Sequence, residues 1–115
     1  MKIIRYQDSA GETHHGVQHD TGATRLEGCL LGDHQDSGEP ADLQKLLAPV
    51  QPTDILCIGL NYRRHAEEGG SEIPEYPILF MKTSSSVQNP GDPIILPRHL
   101  RSDAVDYECE LAVVI

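Results

Sequence analysis

The last eleven residues, Val105-Asp106-Tyr107-Glu108-Cys109-Glu110-Leu111-Ala112-Val113-Val114-Ile115, constrain the fold more than any other stretch. Read with the two-residue period of a β-strand, Asp106, Glu108, Glu110 and Ala112 share one face, and Tyr107, Cys109, Leu111 and Val113 share the other. Three carboxylates therefore stand in a row. The unbroken apolar run from Leu111 to Ile115 predicts that this strand enters a core. Alternate residues of a strand lie about 6.5 to 7 Å apart at Cα, so the longer side chains of Glu108 and Glu110 can converge on one point. A carboxylate buried without a partner costs several kcal/mol, and a shared cation removes that cost. Oxygen-only ligands favour a hard ion, Mg²⁺, Mn²⁺ or Ca²⁺, over Zn²⁺. The competing reading is an edge strand whose acidic face is simply hydrated.

At 115 residues the chain is one domain by length. One Phe, four Tyr and no Trp, against ten Gly and eight Pro, point to a turn-rich, mainly β chain. The formal net charge of −9 argues against a nucleic acid or an anionic membrane as partner, since both call for a basic surface. A small anionic substrate would then need a local cation, which a metal supplies. Cys29, Cys57 and Cys109 are odd in number, lack C-x-x-C spacing and lie in apolar stretches, so they read as buried reduced thiols of a cytoplasmic protein. Met1 to Arg5 is followed by no signal-peptide apolar region, and no run approaches the length of a membrane-spanning helix. Because the sequence stops at Ile115 inside an apolar run, the expectation is a truncated domain.

Taken in order, Lys2 to Tyr6, Thr13 to Gln18 and Arg25 to Leu31 read as strands of a small meander, with turns at Asp8-Ser9-Ala10-Gly11 and Asp20-Thr21-Gly22. His14, His15 and His19 have no matched metal-ligand spacing and read as residues of a solvated hairpin. Gly32 to Gly38 is expected to be a polar loop. Pro40 to Ala48 is expected to be a short helix, from its leading Pro and the apolar positions 43, 46 and 47. The Pro49-Val50-Gln51-Pro52 stretch marks the one candidate boundary, between residues 1–52 and 53–115.

Beyond it, Asp54 to Leu60 reads as a buried strand, and Asn61 to Gly70 as a capped helix at about 62 to 68 stopped by a Gly pair. His65 and Glu68 then stand at i and i+3 on one helix face. A carboxylate holding one imidazole nitrogen fixes the tautomer and raises basicity at the other, which is how a general base is built. The alternative is a surface histidine in a charged helix. Ile78 to Met81 reads as a second buried strand delivering Lys82, which either reaches solvent or lends positive charge to a site. Asn89-Pro90-Gly91-Asp92-Pro93 is a strong turn, and Ile94 to Leu96 a short strand before the terminal one.

Four blocks in this order carry a resemblance: Cys57-Ile58-Gly59-Leu60-Asn61-Tyr62-Arg63-Arg64-His65-Ala66-Glu67-Glu68, Pro77-Ile78-Leu79-Phe80-Met81-Lys82, Pro90-Gly91-Asp92-Pro93-Ile94-Ile95-Leu96-Pro97 and Asp106-Tyr107-Glu108-Cys109-Glu110-Leu111. Together they resemble the fumarylacetoacetate hydrolase family over about residues 53 to 115. Residues 1 to 52 resemble, less distinctively, the small N-terminal domain of many members. The resemblance implies a mainly β (α+β) fold in which a β-meander precedes the first part of a mixed β-roll catalytic domain, dimeric when full length. It further implies Glu108 and Glu110 as ligands of Mg²⁺ or Mn²⁺, His65 as general base oriented by Glu68, and Lys82 as a cation near the substrate oxygens. The third carboxylate ligand of the family has no counterpart before Ile115.

The expected reaction is metal-dependent hydrolysis of a C–C bond in a small 2-oxo or 1,3-dicarbonyl acid. The alternatives are isomerisation or decarboxylation of similar acids, and an inactive truncated interaction module. Each enzymatic route forms an enolate that a metal and Lys82 would stabilise.

Overall fold

The computed structural model describes all residues, 1–115, and is mainly β. Five strands, β1 (Ile3–Gln7), β2 (Thr13–His19), β3 (Gly22–Gly28), β4 (His34–Pro40) and β5 (Lys45–Leu47), form an antiparallel sheet in the order β4-β3-β2-β1-β5. Local chemistry explains the first hairpin. Asp8 Oδ1 accepts hydrogen bonds from the backbone N–H groups of Ala10 and Glu12, closing the turn that lays β2 back on β1 with Ile4 opposite Gly16 and Tyr6 opposite His14. The alternation of β1 buries Ile4 and Tyr6. These two, with Val17 and Ala48, are the buried side chains of the sheet. Gly16 is required where it stands: a Cβ there would lie 2.6 Å from the Thr24 carbonyl oxygen and 3.1 Å from Tyr6 Cε1.

Three expectations for this half are corrected. The third strand spans Gly22–Gly28 and ends before Cys29, where the sequence reads a strand from Arg25 to Leu31. Of the polar stretch 32–38 only Gly32 and Asp33 stay in the turn, because His34–Pro40 pairs with β3. The Thr24 hydroxyl and the Gly38 N–H both donate to Asp36 Oδ1 and absorb the register shift between Thr24 and Leu26. Nor do residues 40–48 form a helix. Lys45–Leu47 pairs with the free edge of β1, Leu46 opposite Tyr6, and Gln44 N–H donates to the Gln7 carbonyl. A nine-residue helix is marginal in water, whereas this segment satisfies an open row of β1 backbone groups and buries Ala48.

Two of the three histidines of the hairpin find carboxylates. His14 Nε2 lies 2.8 Å from Asp8 Oδ2, and His19 Nε2 lies 3.1 Å from Asp36 Oδ2.

In the second half, β6 (Ile55–Gly59) leads through Leu60, at φ +48°, into the single α-helix α1 (Arg63–Glu68), and β7 (Ile78–Lys82) returns antiparallel to β6 with Gly59 opposite Ile78 and Ile55 opposite Lys82. Both strands lie where the sequence places them, but neither is buried. As a two-stranded ribbon they have no covering layer, and Leu79 is 63% exposed. A 3₁₀ turn, Ser84–Ser86, follows. The Asn89–Asp92 turn, with Pro90 and then Gly91 at φ +80°, fits a type II geometry.

The expected strands at 94–96 and 105–115 do not form: these residues make no strand pairing, and the apolar tail lies in the open, Leu111 at 82% exposure. Apolar sequence alone does not make a strand without an adjacent backbone to pair with. All three cysteines are free, but Cys29 and Cys109 are exposed and only Cys57 is partly covered, contrary to the expectation of buried thiols. No helix is long and apolar enough to cross a membrane.

The turn at Asn89 ties the second half to the sheet. Asn89 Oδ1 accepts from the Ala48 N–H at 3.0 Å, and Asp92 takes Lys45 Nζ at 2.8 Å.

Candidate active site

Helix α1 is six residues long and is held by one fully buried side chain, Ala66. Its N-cap position belongs to Tyr62, in extended conformation and without a side-chain cap, one residue later than the Asn61 cap the sequence suggests. Two residues near the start of the helix face the terminal segment. The Leu111 N–H donates to the Tyr62 phenolic oxygen at 2.9 Å. One turn on, His65 Nδ1 lies 3.7 Å from Glu108 Oε1, with the side chains 49% and 54% exposed. Thus the imidazole and the first acidic residue of the Glu108-x-Glu110 pattern meet although neither belongs to a regular pairing. Tyr62 carries no recognised chemistry in the sequence, and its i, i+3 spacing to His65 is the signal that places it on the same side.

The other expected residues stand apart from this pair. Glu68 shares the helix with His65 but forms no hydrogen bond to it, and the imidazole's carboxylate partner is Glu108 instead. Glu110 is exposed and makes no ion pair. Lys82 sits at the far end of the ribbon from the β6-to-α1 turn, its Nζ 5.9 Å from the Phe80 ring centroid. No three His, Cys, Asp or Glu side chains converge to hold an ion. The donor chemistry of Glu108 and Glu110 nonetheless suits a hard divalent cation. Both are acceptor-only carboxylates free of Lys and Arg, and Mg²⁺ is commonly held by one or two carboxylates with the rest of its shell water.

The family model described as fumarylacetoacetate (FAA) hydrolase C-terminal matches residues 54–115, a stretch that contains β6, α1, β7 and both members of the His65–Glu108 pair. The chain belongs to the fumarylacetoacetate hydrolase family. Among relatives, a fumarylacetoacetate hydrolase domain-containing protein 2 homolog of Dictyostelium discoideum is 49% identical over 76 residues, covering 66% of this chain and 24% of that protein. A mitochondrial oxaloacetate tautomerase of Rattus norvegicus is 47% identical over 77 residues, covering 66% of this chain and 24% of that protein. The chain thus spans about a quarter of the length of these family members. A solved structure of an uncharacterized protein from Mycobacterium abscessus superposes with a TM-score of 0.65 at 32% identity, over 85% of this chain and 39% of the other. That coverage exceeds what residues 54–115 alone account for, so part of the N-terminal sheet is shared with it too.

Proposed function

We propose that this chain contributes the base-bearing part of a metal-dependent enzyme that moves a proton on a small 2-oxo dicarboxylic acid, interconverting keto and enol forms. The single observation that carries the reading is the approach of His65 to Glu108 within the family-matched stretch. Relatives named as oxaloacetate tautomerases, in rat and also in Homo sapiens at 46% identity, favour isomerisation over the C–C hydrolysis in the family's name.

In this reading the Glu108 carboxylate, 3.7 Å from His65 Nδ1 and so at ion-pair rather than hydrogen-bond distance, stabilises the imidazolium that forms when Nε2 takes a proton from the carbon beside the carbonyl. His65 then returns that proton to the oxygen, so no group is gained or lost. Half-exposure of the imidazole leaves Nε2 open to a substrate. Glu108 and Glu110 would hold Mg²⁺, Mn²⁺ or Ca²⁺, which when bound supplies Lewis-acid polarisation of the carbonyl. Glu68 remains a proposed second orienting carboxylate, and Lys82 a proposed cation for the substrate carboxylates.

The wider reading follows the family. Residues 1–52 form a small N-terminal unit, residues 53–115 begin a mixed β-roll catalytic domain, and the full-length protein is a cytoplasmic homodimer. The rat relative, for its part, is named as mitochondrial.

The test is the decay of enol oxaloacetate followed by ultraviolet absorbance with Mg²⁺ present, while CO₂ release and cleavage products are monitored. Ketonisation without CO₂ or cleavage supports tautomerisation, and cleavage of an acylpyruvate supports hydrolysis. Full activity in a His65→Ala variant would rule out His65 as the base. Absence of any turnover or Mg²⁺ binding favours the interaction-module alternative.

A further inference from the structure

A cleft of about 470 Å³ opens between the sheet and the family-matched half, walled by the β1–β5 edge, the Val50–Pro52 connection and the Ser84–Ser86 turn. None of the candidate active-site residues lines it. Its charge is unusual for this molecule: in a chain of net charge −9, the one charged side chain on the wall is Arg5, and no Asp or Glu lines the space.

Arg5 is only partly engaged. Its Nη1 donates one long hydrogen bond, 3.4 Å, to the Ala48 carbonyl, and no carboxylate lies within ion-pair distance of the guanidinium. Around it part of the polar lining is left without partners by the fold. The Ser84 hydroxyl and the Gln51 side-chain amide make no hydrogen bond within the protein, while the Ser85 hydroxyl pairs only with Thr83 Oγ1 at 2.8 Å. Asn89 is different, since both ends of its amide are committed, to Ala48 N–H and to Asp92 Oδ2. It holds the two walls at a fixed separation. Val50 and Val87 supply apolar surface beside the donors.

We propose that this cleft is a binding site for a small organic anion, a carboxylate or a phosphate monoester. The Arg5 guanidinium provides the counter-charge and a planar pair of donors, the Ser84 hydroxyl and the Gln51 amide complete the head-group contacts, and the valines take the apolar body. A guanidinium without a carboxylate partner is suited to two parallel hydrogen bonds with such a head group. The volume lies within the range of small-ligand sites, and the lining, as much polar as apolar, suits a charged head group on a short apolar body. Because the walls come from the sheet on one side and the 84–89 stretch on the other, an occupant would also join the two halves.

The experiment is a ¹H–¹⁵N titration of the intact chain with inorganic phosphate and, separately, with butyrate at constant ionic strength. The expected result is saturable shifts at Val50, Ser84, Ser85 and the Arg5 Nε–H, with Arg5→Gln weakening binding at least about tenfold. Ser84→Ala, on an exposed turn, weakens it by a smaller factor and guards against loss of fold in the β1 variant. An Arg98→Gln control, outside the cleft, leaves the affinity unchanged. Saturation by butyrate alone assigns a carboxylate, and by phosphate alone a phosphate ester. The proposal is overturned if neither anion gives saturable shifts at these residues, or if the affinity survives both Arg5→Gln and Ser84→Ala.

Discussion

His65 Nδ1 and Glu108 Oε1 stand 3.7 Å apart, bringing the one helical histidine to the acidic segment that follows β7 by a long irregular path. If this pair is the working base, the two residues separate functionally on substitution. His65→Ala leaves Mg²⁺ binding intact and lowers tautomerase turnover by roughly 10²- to 10⁴-fold, the range for a positioned general base. Glu108→Gln and Glu110→Gln each lower Mg²⁺ affinity as well. Isothermal titration with Mg²⁺, run beside the activity assay, makes the distinction, and unchanged metal binding in both Gln variants would remove the carboxylates from the site.

Tyr62 has a narrower task. Its phenolic oxygen accepts the Leu111 N–H at 2.9 Å, so Tyr62→Phe deletes one exposed hydrogen bond, a loss of about 1 kcal/mol or less. Faster hydrogen exchange at the Leu111 amide, with a nearly unchanged global melting temperature, is the expected signature. Unaltered exchange would mean that the tyrosine does not hold the segment.

Gly16 admits no side chain without movement of backbone, since the nearest obstacle is the Thr24 carbonyl oxygen at 2.6 Å. Gly16→Ala is therefore expected to destabilise the sheet by about 1–3 kcal/mol, the usual range for overpacking. Chemical denaturation of the two proteins checks this, and equal midpoints would show that the sheet relaxes freely around the methyl group.

Acid should loosen the protein in two stages. Burial first, and then the Arg5 charge, hold the His15 imidazole below its ordinary 6.5. The unfolded chain therefore takes up that proton before the folded one, and stability starts to fall as pH drops through 6.5. Asp92 lies below its ordinary 3.8, chiefly through the Lys45 hydrogen bond and then that of Asn89, and Asp36 through the Thr24 hydroxyl and then the Gly38 N–H. Their stabilising contribution is complete above 3.8 and is lost as pH falls from there through the lower folded values. Melting temperatures measured from pH 7 to pH 2 should show both declines, with His15→Gln flattening the upper one and Asp92→Asn the lower. A melting temperature that rises on acidification would contradict the assignment.

How far the sequence reveals this molecule depends on the range of the interactions involved. The first two strands, β6, α1 and β7 are legible because period-two apolar runs, Gly turns and a helix stop act within a few residues. β5 is misread as helix because what decides it is the open edge of β1, some forty positions earlier, and local spacing at 43, 46 and 47 carries no trace of that edge. β4 is missed for a similar reason, its polar composition being tolerated by a bulge that Asp36 organises. At the candidate site the sequence supplies both residues of the pair but matches His65 with its neighbour Glu68, since an i, i+3 relation is visible in one dimension and the approach of Glu108 is not. Tyr62 goes unnoticed because an aromatic beside a helix start ordinarily reports packing.

The side chain of Asn89 also bears on modular exchange. It belongs to the stretch shared with the family, yet its amide oxygen grips the backbone of Ala48, outside that stretch, while Asp92 grips Lys45. A different leading segment grafted ahead of residue 54 would dock in the same pose only if it offered an unclaimed main-chain N–H and an ammonium group at matching places, whatever the remainder of its sequence.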